Sequence, residues 1–174
     1  IVGPSGSGKS HLAAIWQSMV QNSHRLTGLA AGQRLPNSAF YVLDDVAHSG
    51  DWDEEALFHC FNRCASETGG ILLLSQMPVG QMDWQLPDLR SRMRAVNLAR
   101  IDLPDNDLIF ALFNKYFADR QMIAPPGMLS YLIKRMERSF TAVPRLAAAL
   151  DHRSIAEKKP LSVALARNVL NDLS

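Results

Sequence analysis

Residues 3–10 have the residue types and spacing needed to hold a phosphate, because they read Gly-Pro-Ser-Gly-Ser-Gly-Lys-Ser and fit G-x-x-x-x-G-K-[ST] without a substitution. Glycines let such a loop curl so that successive backbone N–H groups point at one anion. The lysine ammonium reaches the terminal phosphates of a nucleotide, and the final hydroxyl is a ligand for Mg²⁺. The pattern and the residue after it predict these nucleotide contacts: Gly3, Pro4, Ser5, Gly6, Ser7, Gly8, Lys9, Ser10 and His11.

The segments on either side of this loop also fit a phosphate site. Ile1 and Val2 have the character of a strand end, and residues 11–20 have helical spacing, so the loop would lead into a helix N-terminus, where anions bind. The apolar residues of that helix fall on one face: Leu12, Ile15, Trp16 and Met19. The first strand is only two residues long and no Met precedes it, which predicts a fragment with residues missing upstream.

Two further segments end in polar residues directly after an apolar run. One run, rich in β-formers, precedes Asp44 and Asp45, and a second precedes Ser75 and Gln76. Because parallel strands bring their carboxyl ends to one edge of a sheet, we expect these side chains and the loop to converge. In ATP hydrolysis one carboxylate holds the Mg²⁺ shell and a second orients water. The alternative for the Asp pair is two solvated residues in a turn.

The remaining segments up to residue 103 complete an α/β pattern. Residues 51–66 have the spacing of a helix and residues 96–103 that of a final strand, while residues 21–37 contain no convincing strand. Residues 77–95 are interpreted as a loop that carries a basic cluster: Arg90, Arg92 and Arg94. Alternating strands and helices predict a doubly wound parallel sheet, in which ligands bind beyond the carboxyl ends of the strands.

From residue 104 onward the pattern is helical. Four segments have helical spacing with no strand between them: residues 105–120, 125–138, 143–153 and 161–173. Asp105 is an N-cap candidate for the first of them. The sequence therefore predicts an α/β P-loop NTPase core with a doubly wound parallel sheet over residues 1–103, followed by a small all-α lid bundle over residues 104–174.

Composition and charge limit the classes of partner. The chain has 174 residues, 47% of them hydrophobic, and a formal net charge of +1, so it can bury a core but has no long-range field for nucleic acid or anionic membrane. No apolar run approaches the roughly 20 residues that span a bilayer, which predicts no membrane segment. Cys60 and Cys64 lie four residues apart in one predicted helix, which favours reduced thiols and a cytosolic location. With His59 they still fall short of a closed tetrahedral metal site.

Five motifs, in this order along the chain, carry a resemblance to a known family. They are the Gly-Lys-Ser-His-Leu run of the loop, Val-Leu-Asp-Asp-Val at 42–46, Leu-Leu-Leu-Ser at 72–75, Leu-Arg-Ser-Arg at 89–92 and Val-Pro-Arg-Leu-Ala-Ala-Ala-Leu at 143–150. Together they resemble the AAA+ module of the DnaA replication initiators. They resemble still more closely the short Hda-type relatives, regulators that lack the DNA-binding domain.

The resemblance implies a role for each matching residue. Asp44 belongs to the Mg²⁺ shell, Asp45 to the attacking water, and Ser75 or Gln76 to the first sensor, where Gln76 replaces the family's usual aspartate. Arg92 falls where the family places an arginine finger, which reaches the nucleotide of a neighbouring subunit in trans. The alternative for Arg92 is a solvated arginine in a basic loop.

The second sensor departs from the family pattern. Pro144 stands where the family has its sensor arginine, and Arg145 follows one position later, about 100° around a helix. Two interpretations of Arg145 therefore stay open, a shifted sensor that contacts the nucleotide and a lid-surface arginine. The departure also argues against ATP hydrolysis by this protein on its own, so the resemblance implies at most a weak ATPase.

The leading hypothesis is a cytoplasmic regulator of chromosomal replication initiation that binds ATP or ADP with Mg²⁺ and stimulates ATP hydrolysis by DnaA through Arg92. Direct DNA binding would be weak or absent, and a contact with the DNA sliding clamp would use a missing N-terminal segment. A homo-oligomer is compatible with the module. The alternatives are a stand-alone AAA+ ATPase, such as a DnaA-like initiator or a helicase loader, and a small-molecule P-loop kinase.

Overall fold

The computed structural model describes residues 1–47 and 51–173. The chain divides into two compact units, one made of Ile1–Gly3 with Gly8–Ile101 and the other of Pro4–Ser7 with the residues from Asp102 onward. The first unit contains a β-sheet with helices, and the elements of the second unit are helices.

Three strands form the sheet of the first unit. They are parallel and lie side by side in the order β1 (Ser23–Leu26), β2 (Phe40–Leu43) and β3 (Gly70–Leu73). Val2 adds isolated parallel bridges to Ser75 and Arg100. Because these pairings are parallel, the carboxyl ends of the strands meet at one edge, which confirms the predicted α/β architecture.

Both faces of the central strand β2 are covered. Tyr41 and Leu43 belong to the core on one face, and Val42 packs with Ala13 and Leu74 on the other. All three strand residues are 0% exposed, as is typical of a parallel strand between two helical layers. The helices of this unit are α1 (Lys9–Met19), α2 (Glu54–Ser66) and α3 (Pro87–Ala95), with a short 3-10 helix at Val79–Gln81.

Strand β1 corrects the interpretation of residues 21–37 as lacking a strand. Its sequence is Ser-His-Arg-Leu, and only Leu26 is buried, so no apolar run marks it. The strand lies at the edge of the sheet and pairs with β2 alone. Its hydrogen bonds to β2 therefore define it, and hydrophobic burial contributes little.

Helix α1 exposes most of the apolar face that the sequence predicts. Leu12, Ile15 and Met19 are 43%, 46% and 78% exposed, whereas Ala13 is fully buried. A small residue therefore makes the close contact with the sheet, and the larger apolar side chains remain partly exposed or, for Met19, mostly exposed. Trp16 is half-buried and meets the Phe40 ring edge-on at 6.1 Å between centroids.

Helix α2 begins later than the predicted residue 51. Asp53 caps it, since its side chain accepts a hydrogen bond from Ala56 N at 2.9 Å, and the helix starts at Glu54. After the helix, Gly69 passes very close to the preceding strand. A Cβ at this position would lie 1.8 Å from the carbonyl oxygen of Ala39, so only glycine fits without moving the backbone.

Two predictions over residues 77–103 are wrong. Residues 87–95 form α3 rather than a loop, because Pro87 suits the first helical turn and Leu89 and Met93, four residues apart, are both buried. Residues 96–103 form no strand; they contribute only the Arg100 bridge to Val2. Val2 is the single residue available for pairing there, and Leu98 and Leu103 remain 52% and 61% exposed, so burial does not hold an extended strand in place.

The second unit has four helices among its described residues. Asp105 caps the first, as predicted, by accepting a hydrogen bond from Leu108 N at 2.8 Å. The second helix is shorter than predicted, since Pro125 and Pro126 lie outside it and Gly127, in the left-handed region, precedes it. The helices are α4 (Asn106–Asp119), α5 (Met128–Ile133), α6 (Ala142–Glu157) and α7 (Val163–Leu173).

One hydrophobic core joins these four helices. Each contributes residues at helical spacing, and aromatic rings from α4 lie in its middle, with Phe113 and Phe117 at 5.7 Å between centroids. The fully buried members include Ile109, Phe113, Met128, Leu132, Val143, Ala147, Leu150 and Ala166. The unit therefore has a core of its own, as the predicted helical bundle requires.

Candidate phosphate-binding site

The loop of residues 3–10 has the backbone conformation that its glycines predict. Gly6 and Gly8 have φ values of 74° and 86°, in the left-handed region that glycine adopts freely. Gly8 immediately precedes α1, and its carbonyl accepts the N–H of Leu12 at 2.9 Å. The first N–H groups of a helix have no intrahelical acceptor, so this end of α1 can receive an anion.

The side chains of the loop fit a phosphate as well. Lys9 is 9% exposed, and its Nζ donates to the carbonyl oxygen of Gly3 at 2.8 Å, which holds the ammonium beside the loop. Ser7 Oγ is buried and has no hydrogen-bond partner among the described residues. A buried hydroxyl without a partner is costly, and a phosphate oxygen would satisfy it. Ser5 and His11 are exposed.

Ser10 and Asp44 are brought together, as a Mg²⁺ site requires. Ser10 Oγ lies 3.3 Å from Asp44 Oδ2 and 3.5 Å from Oδ1, and the backbone of Asp44 is fixed by a 2.8 Å hydrogen bond from its N–H to Leu26 O. Mg²⁺ commonly takes one or two protein ligands and completes its shell with phosphates and water. Residues 1–47 and 51–173 contain no cluster of three or more acidic, histidine or cysteine side chains able to hold a metal.

Arg25 is a member of this cluster that sequence reasoning missed. Its Nη2 makes an ion pair with Asp44 Oδ2. The residue lies in β1, in the segment interpreted as lacking a strand, so no signal connected it to Asp44. The four residues of β1 offer no period-two pattern, since His24 and Leu26 belong to the same face and only Leu26 is buried.

Asp45 occupies a strained position at the tip of β2. Its φ of 57° lies in the left-handed region, and its side chain is exposed. Trp52 Nε1 donates to its carbonyl oxygen at 3.4 Å. The chain therefore leaves the extended conformation directly after Asp44. The role of Asp45 toward water stays a prediction.

The two first-sensor candidates differ in their surroundings. Ser75 is 1% exposed, and its hydroxyl donates to the carbonyl oxygen of Met77 at 2.6 Å. Its own carbonyl accepts the N–H of Gly3 at 3.2 Å, which ties the strand edge to the start of the loop. Gln76 is exposed. The Ser75 hydroxyl is therefore already used within the protein, whereas Gln76 is open to solvent.

Arg92 lies on α3, where it contacts two residues of α2. Its Nη2 donates to Asn62 Oδ1 at 2.7 Å, and its guanidinium carbon lies 5.1 Å from the centre of the Phe58 ring. These two contacts orient the guanidinium. Because Asn62 and Phe58 are neutral, neither of them compensates its positive charge. The predicted basic loop is wrong, but Arg92 retains a defined position at the α2–α3 contact.

Arg145 lies in the first turns of α6, in the second unit. The helix begins at Ala142, so Pro144 falls where helical N–H groups have no intrahelical acceptor and costs no hydrogen bond. Arg145 is exposed and lines a small pocket with Arg135, Glu137 and Leu170. Its contact with a nucleotide stays a prediction.

The two cysteines are structural. Both are buried in the core of the first unit, and Cys64 Sγ approaches Gly70 O at 3.8 Å. A hydrogen bond with Cys64, and then burial, raise the pKa of the Cys60 thiol, so it stays protonated. His59 is exposed. The hydrogen bond with Cys60 lowers the pKa of the Cys64 thiol, against the effect of burial.

Comparison with known proteins finds DnaA by sequence, and by structure both DnaA and the RuvB Holliday junction branch migration motor of Thermotoga maritima, which superposes with a TM-score of 0.70 at 17% identity, covering 99% of this chain and 60% of that chain. The chromosomal replication initiator protein DnaA of Clavibacter sepedonicus is 21% identical over 142 residues, which cover 80% of this chain and 30% of that protein. Domain III of the Thermotoga maritima replication initiation protein DnaA superposes with a TM-score of 0.74 at 17% identity, covering 98% of this chain and 82% of that chain. DnaA from Aquifex aeolicus, solved bound to AMPPCP, gives a TM-score of 0.67 at 19% identity, covering 86% and 54%. The chain is similar in sequence to DnaA and has the fold of its domain III.

The fold of this DnaA-like chain is that of an AAA+ P-loop domain. No family model matches the chain. It spans about 30% of the length of the curated DnaA proteins that it matches. Among the described residues, no helix combines the length and the apolar character that a membrane crossing requires.

Proposed function

We propose that this DnaA-like protein binds ATP or ADP with Mg²⁺ and regulates the initiation of chromosomal replication. It would dock on nucleotide-bound DnaA and supply Arg92 to the partner's nucleotide. The nucleotide-binding part of the proposal is supported by the loop geometry, in which left-handed Gly6 and Gly8 precede Lys9 and Ser10 Oγ lies 3.3 Å from Asp44 Oδ2. The AMPPCP bound to DnaA of Aquifex aeolicus supports a nucleotide as the ligand.

Within this site the residues divide the work of binding. The N–H groups at the start of α1 and the Lys9 ammonium would hold the phosphates, and Ser10 and Asp44 would hold Mg²⁺. Mg²⁺ neutralises phosphate charge when it is bound. The Gln76 amide would contact the terminal phosphate, and Asp45 would orient the attacking water. Arg145 would act as a shifted second sensor.

Three features support Arg92 as a residue that acts in trans. The guanidinium is half-buried at the α2–α3 contact, its position is defined by Asn62 and Phe58, and both of these partners are neutral. Leaving them would cost only about 1 kcal/mol for each contact. Once released from Asn62 and Phe58, the guanidinium could neutralise charge that develops on a partner's γ-phosphate.

The test is a mixed ATPase assay in which DnaA loaded with labelled ATP meets this protein together with the sliding clamp. The unmutated protein should accelerate hydrolysis, and Arg92→Ala should lose most of an effect that can reach about 10³–10⁵ for an arginine finger. ATP and ADP binding by the variant itself should be nearly unchanged. Arg90→Ala, on the same helix, should have a much smaller effect.

A stand-alone ATPase is the second candidate, because the loop residues and the Asp44-Asp45 pair are all present. The same assay separates the two functions: turnover in the absence of DnaA, with Arg92→Ala as active as the unmutated protein, would favour the stand-alone enzyme. The clamp contact, a homo-oligomer and a cytoplasmic location remain predictions. A small-molecule kinase is disfavoured, because the sequence similarity is to a replication initiator.

A further inference from the structure

Arg25 brings a cation to the carboxylate that would hold Mg²⁺. Its guanidinium pairs with Asp44 Oδ2, and 33% of the Arg25 side chain and 16% of the Asp44 side chain are exposed. Ser10 Oγ lies 3.3 Å from the same oxygen. One carboxylate oxygen therefore faces both a candidate metal ligand and a fixed positive charge.

The sheet itself directs Arg25 to this place. The parallel register pairs Arg25 with Val42, and Asp44 follows Val42 by two residues, so both side chains belong to the same face of the sheet. Val42 packs there with Ala13 of α1. Arg25 thus extends along the α1 side of the sheet toward the carboxyl edge, where Asp44 lies.

Mg²⁺ and the guanidinium compete for the negative charge of Asp44. Mg²⁺ requires near-octahedral oxygen ligands at about 2.0–2.1 Å and carries two positive charges, which repel a neighbouring guanidinium. The ion pair is only partly exposed, so solvent screens this repulsion incompletely. Binding of the metal would therefore weaken the contact between Arg25 and Asp44, even where Mg²⁺ takes Oδ1 and Arg25 keeps Oδ2.

We infer that Arg25 is a positioning residue that competes with Mg²⁺ for Asp44 and so lowers the dependence of nucleotide binding on the metal. The inference rests on the proposed nucleotide site. Without metal, the Arg25 guanidinium neutralises the negative charge of the Asp44 carboxylate. That charge therefore repels the phosphates of a nucleotide less. When Mg²⁺ binds, the loss of the ion pair offsets part of the favourable free energy of metal binding.

The experiment measures ADP affinity by calorimetry in Mg²⁺ and in EDTA. The dissociation constant in EDTA divided by that in Mg²⁺ should be about tenfold larger for Arg25→Gln than for the unmutated protein. The reason is that one charge-assisted hydrogen bond no longer opposes binding of the metal. Arg25→Lys keeps the cation and should stay near the unmutated ratio. Arg34→Gln, at an exposed arginine of the loop after β1, is the charge-matched control and should also leave the ratio unchanged.

A second measurement tests the ion pair without any nucleotide. In chemical denaturation, Arg25→Gln should lower the unfolding midpoint of the unmutated protein and have little effect in an Asp44→Asn background. An unchanged Mg²⁺ ratio in Arg25→Gln, with ADP still bound, would overturn the inference and leave the proposed function intact. If the unmutated protein binds no ADP, the proposed function fails and this inference fails with it.

Discussion

Lysine and glycine contribute to the phosphate loop by different physical means. Gly6 and Gly8 supply backbone conformation, with φ values that other residues rarely adopt. Lys9 supplies a charge on a side chain that is 9% exposed and anchored to Gly3 O. A substitution of the lysine should therefore remove charge while leaving the curl of the backbone in place.

Lys9→Ala is predicted to weaken ATP and ADP binding by about 10- to 100-fold, the worth of a charge-assisted hydrogen bond. Isothermal calorimetry measures this directly. Lys115→Ala removes an exposed lysine of α4 and is the matched control, expected to bind as the unmutated protein does. Equal affinity in the Lys9 variant would refute the assignment of the loop.

The two carboxylates after β2 should separate into two phenotypes. Asp44→Asn removes charge from the carboxylate beside Ser10 and should impair Mg²⁺-dependent nucleotide binding, whereas Asp45→Asn should affect hydrolysis and leave binding unchanged. The measurements are ADP titrations in Mg²⁺ and single-turnover hydrolysis. If neither variant changes nucleotide affinity or the rate of hydrolysis, Asp44 and Asp45 are only solvated residues of a turn.

The phosphate loop could be predicted from a local sequence pattern. The contacts of Arg25 and Arg92 could not, because they join residues that are far apart in the sequence. The loop motif lies within eight consecutive residues, so its glycines and lysine could be recognised in the sequence. Arg25 meets Asp44 across a gap of 19 residues, through the pairing of β1 with β2. The contact of Arg92 with Asn62 likewise depends on how α3 packs against α2, which no sequence period specifies.

At the scale of elements, helix α4 offers a direct test of a capping side chain. Asp105 accepts a hydrogen bond from Leu108 N at 2.8 Å, so Asp105→Ala should lower the free energy of unfolding by about 1 kcal/mol. Urea denaturation followed by circular dichroism gives this value as a shift in midpoint with an unchanged slope.

The control for this change lies at the other end of the same helix. Asp119 is exposed in the last turn of α4, where a negative charge is unfavourable to the helix dipole. Asp119→Ala should be neutral or slightly stabilising. An equal loss of stability in both variants would show that the Asp105 effect is unrelated to capping.

Long periodic elements were predictable, and short or polar ones were not. The four helices of the second unit repeat apolar residues at helical spacing, because each buries one face in a shared core. Strand β1 escaped notice because an edge strand buries only Leu26. The predicted strand over residues 96–103 failed for the opposite reason, since apolar residues such as Leu98 suggested burial that the fold does not provide.

At the scale of the whole molecule, net charge predicts weak contact with DNA. The formal charge of +1 leaves few phosphate contacts beyond those of local clusters. Duplex binding at physiological salt should therefore be weaker than the roughly 10⁻⁸ M of specific DNA-binding proteins. Fluorescence anisotropy with a labelled duplex measures it, and an affinity at or beyond that value would contradict the prediction.

The close approach of Gly69 to Ala39 restricts which residues this fold can accept at position 69. A side chain there would meet a carbonyl oxygen that Gly70 N already holds at 3.0 Å, so the obstacle cannot rotate away. In a saturation library scored by a folding reporter, position 69 should retain glycine alone. Position 32 should also admit asparagine, because Gly32 has a φ of 69° and a Cβ added to it would meet no described atom within 4 Å. Crowding and backbone conformation would thus leave different signatures at two glycines of one chain.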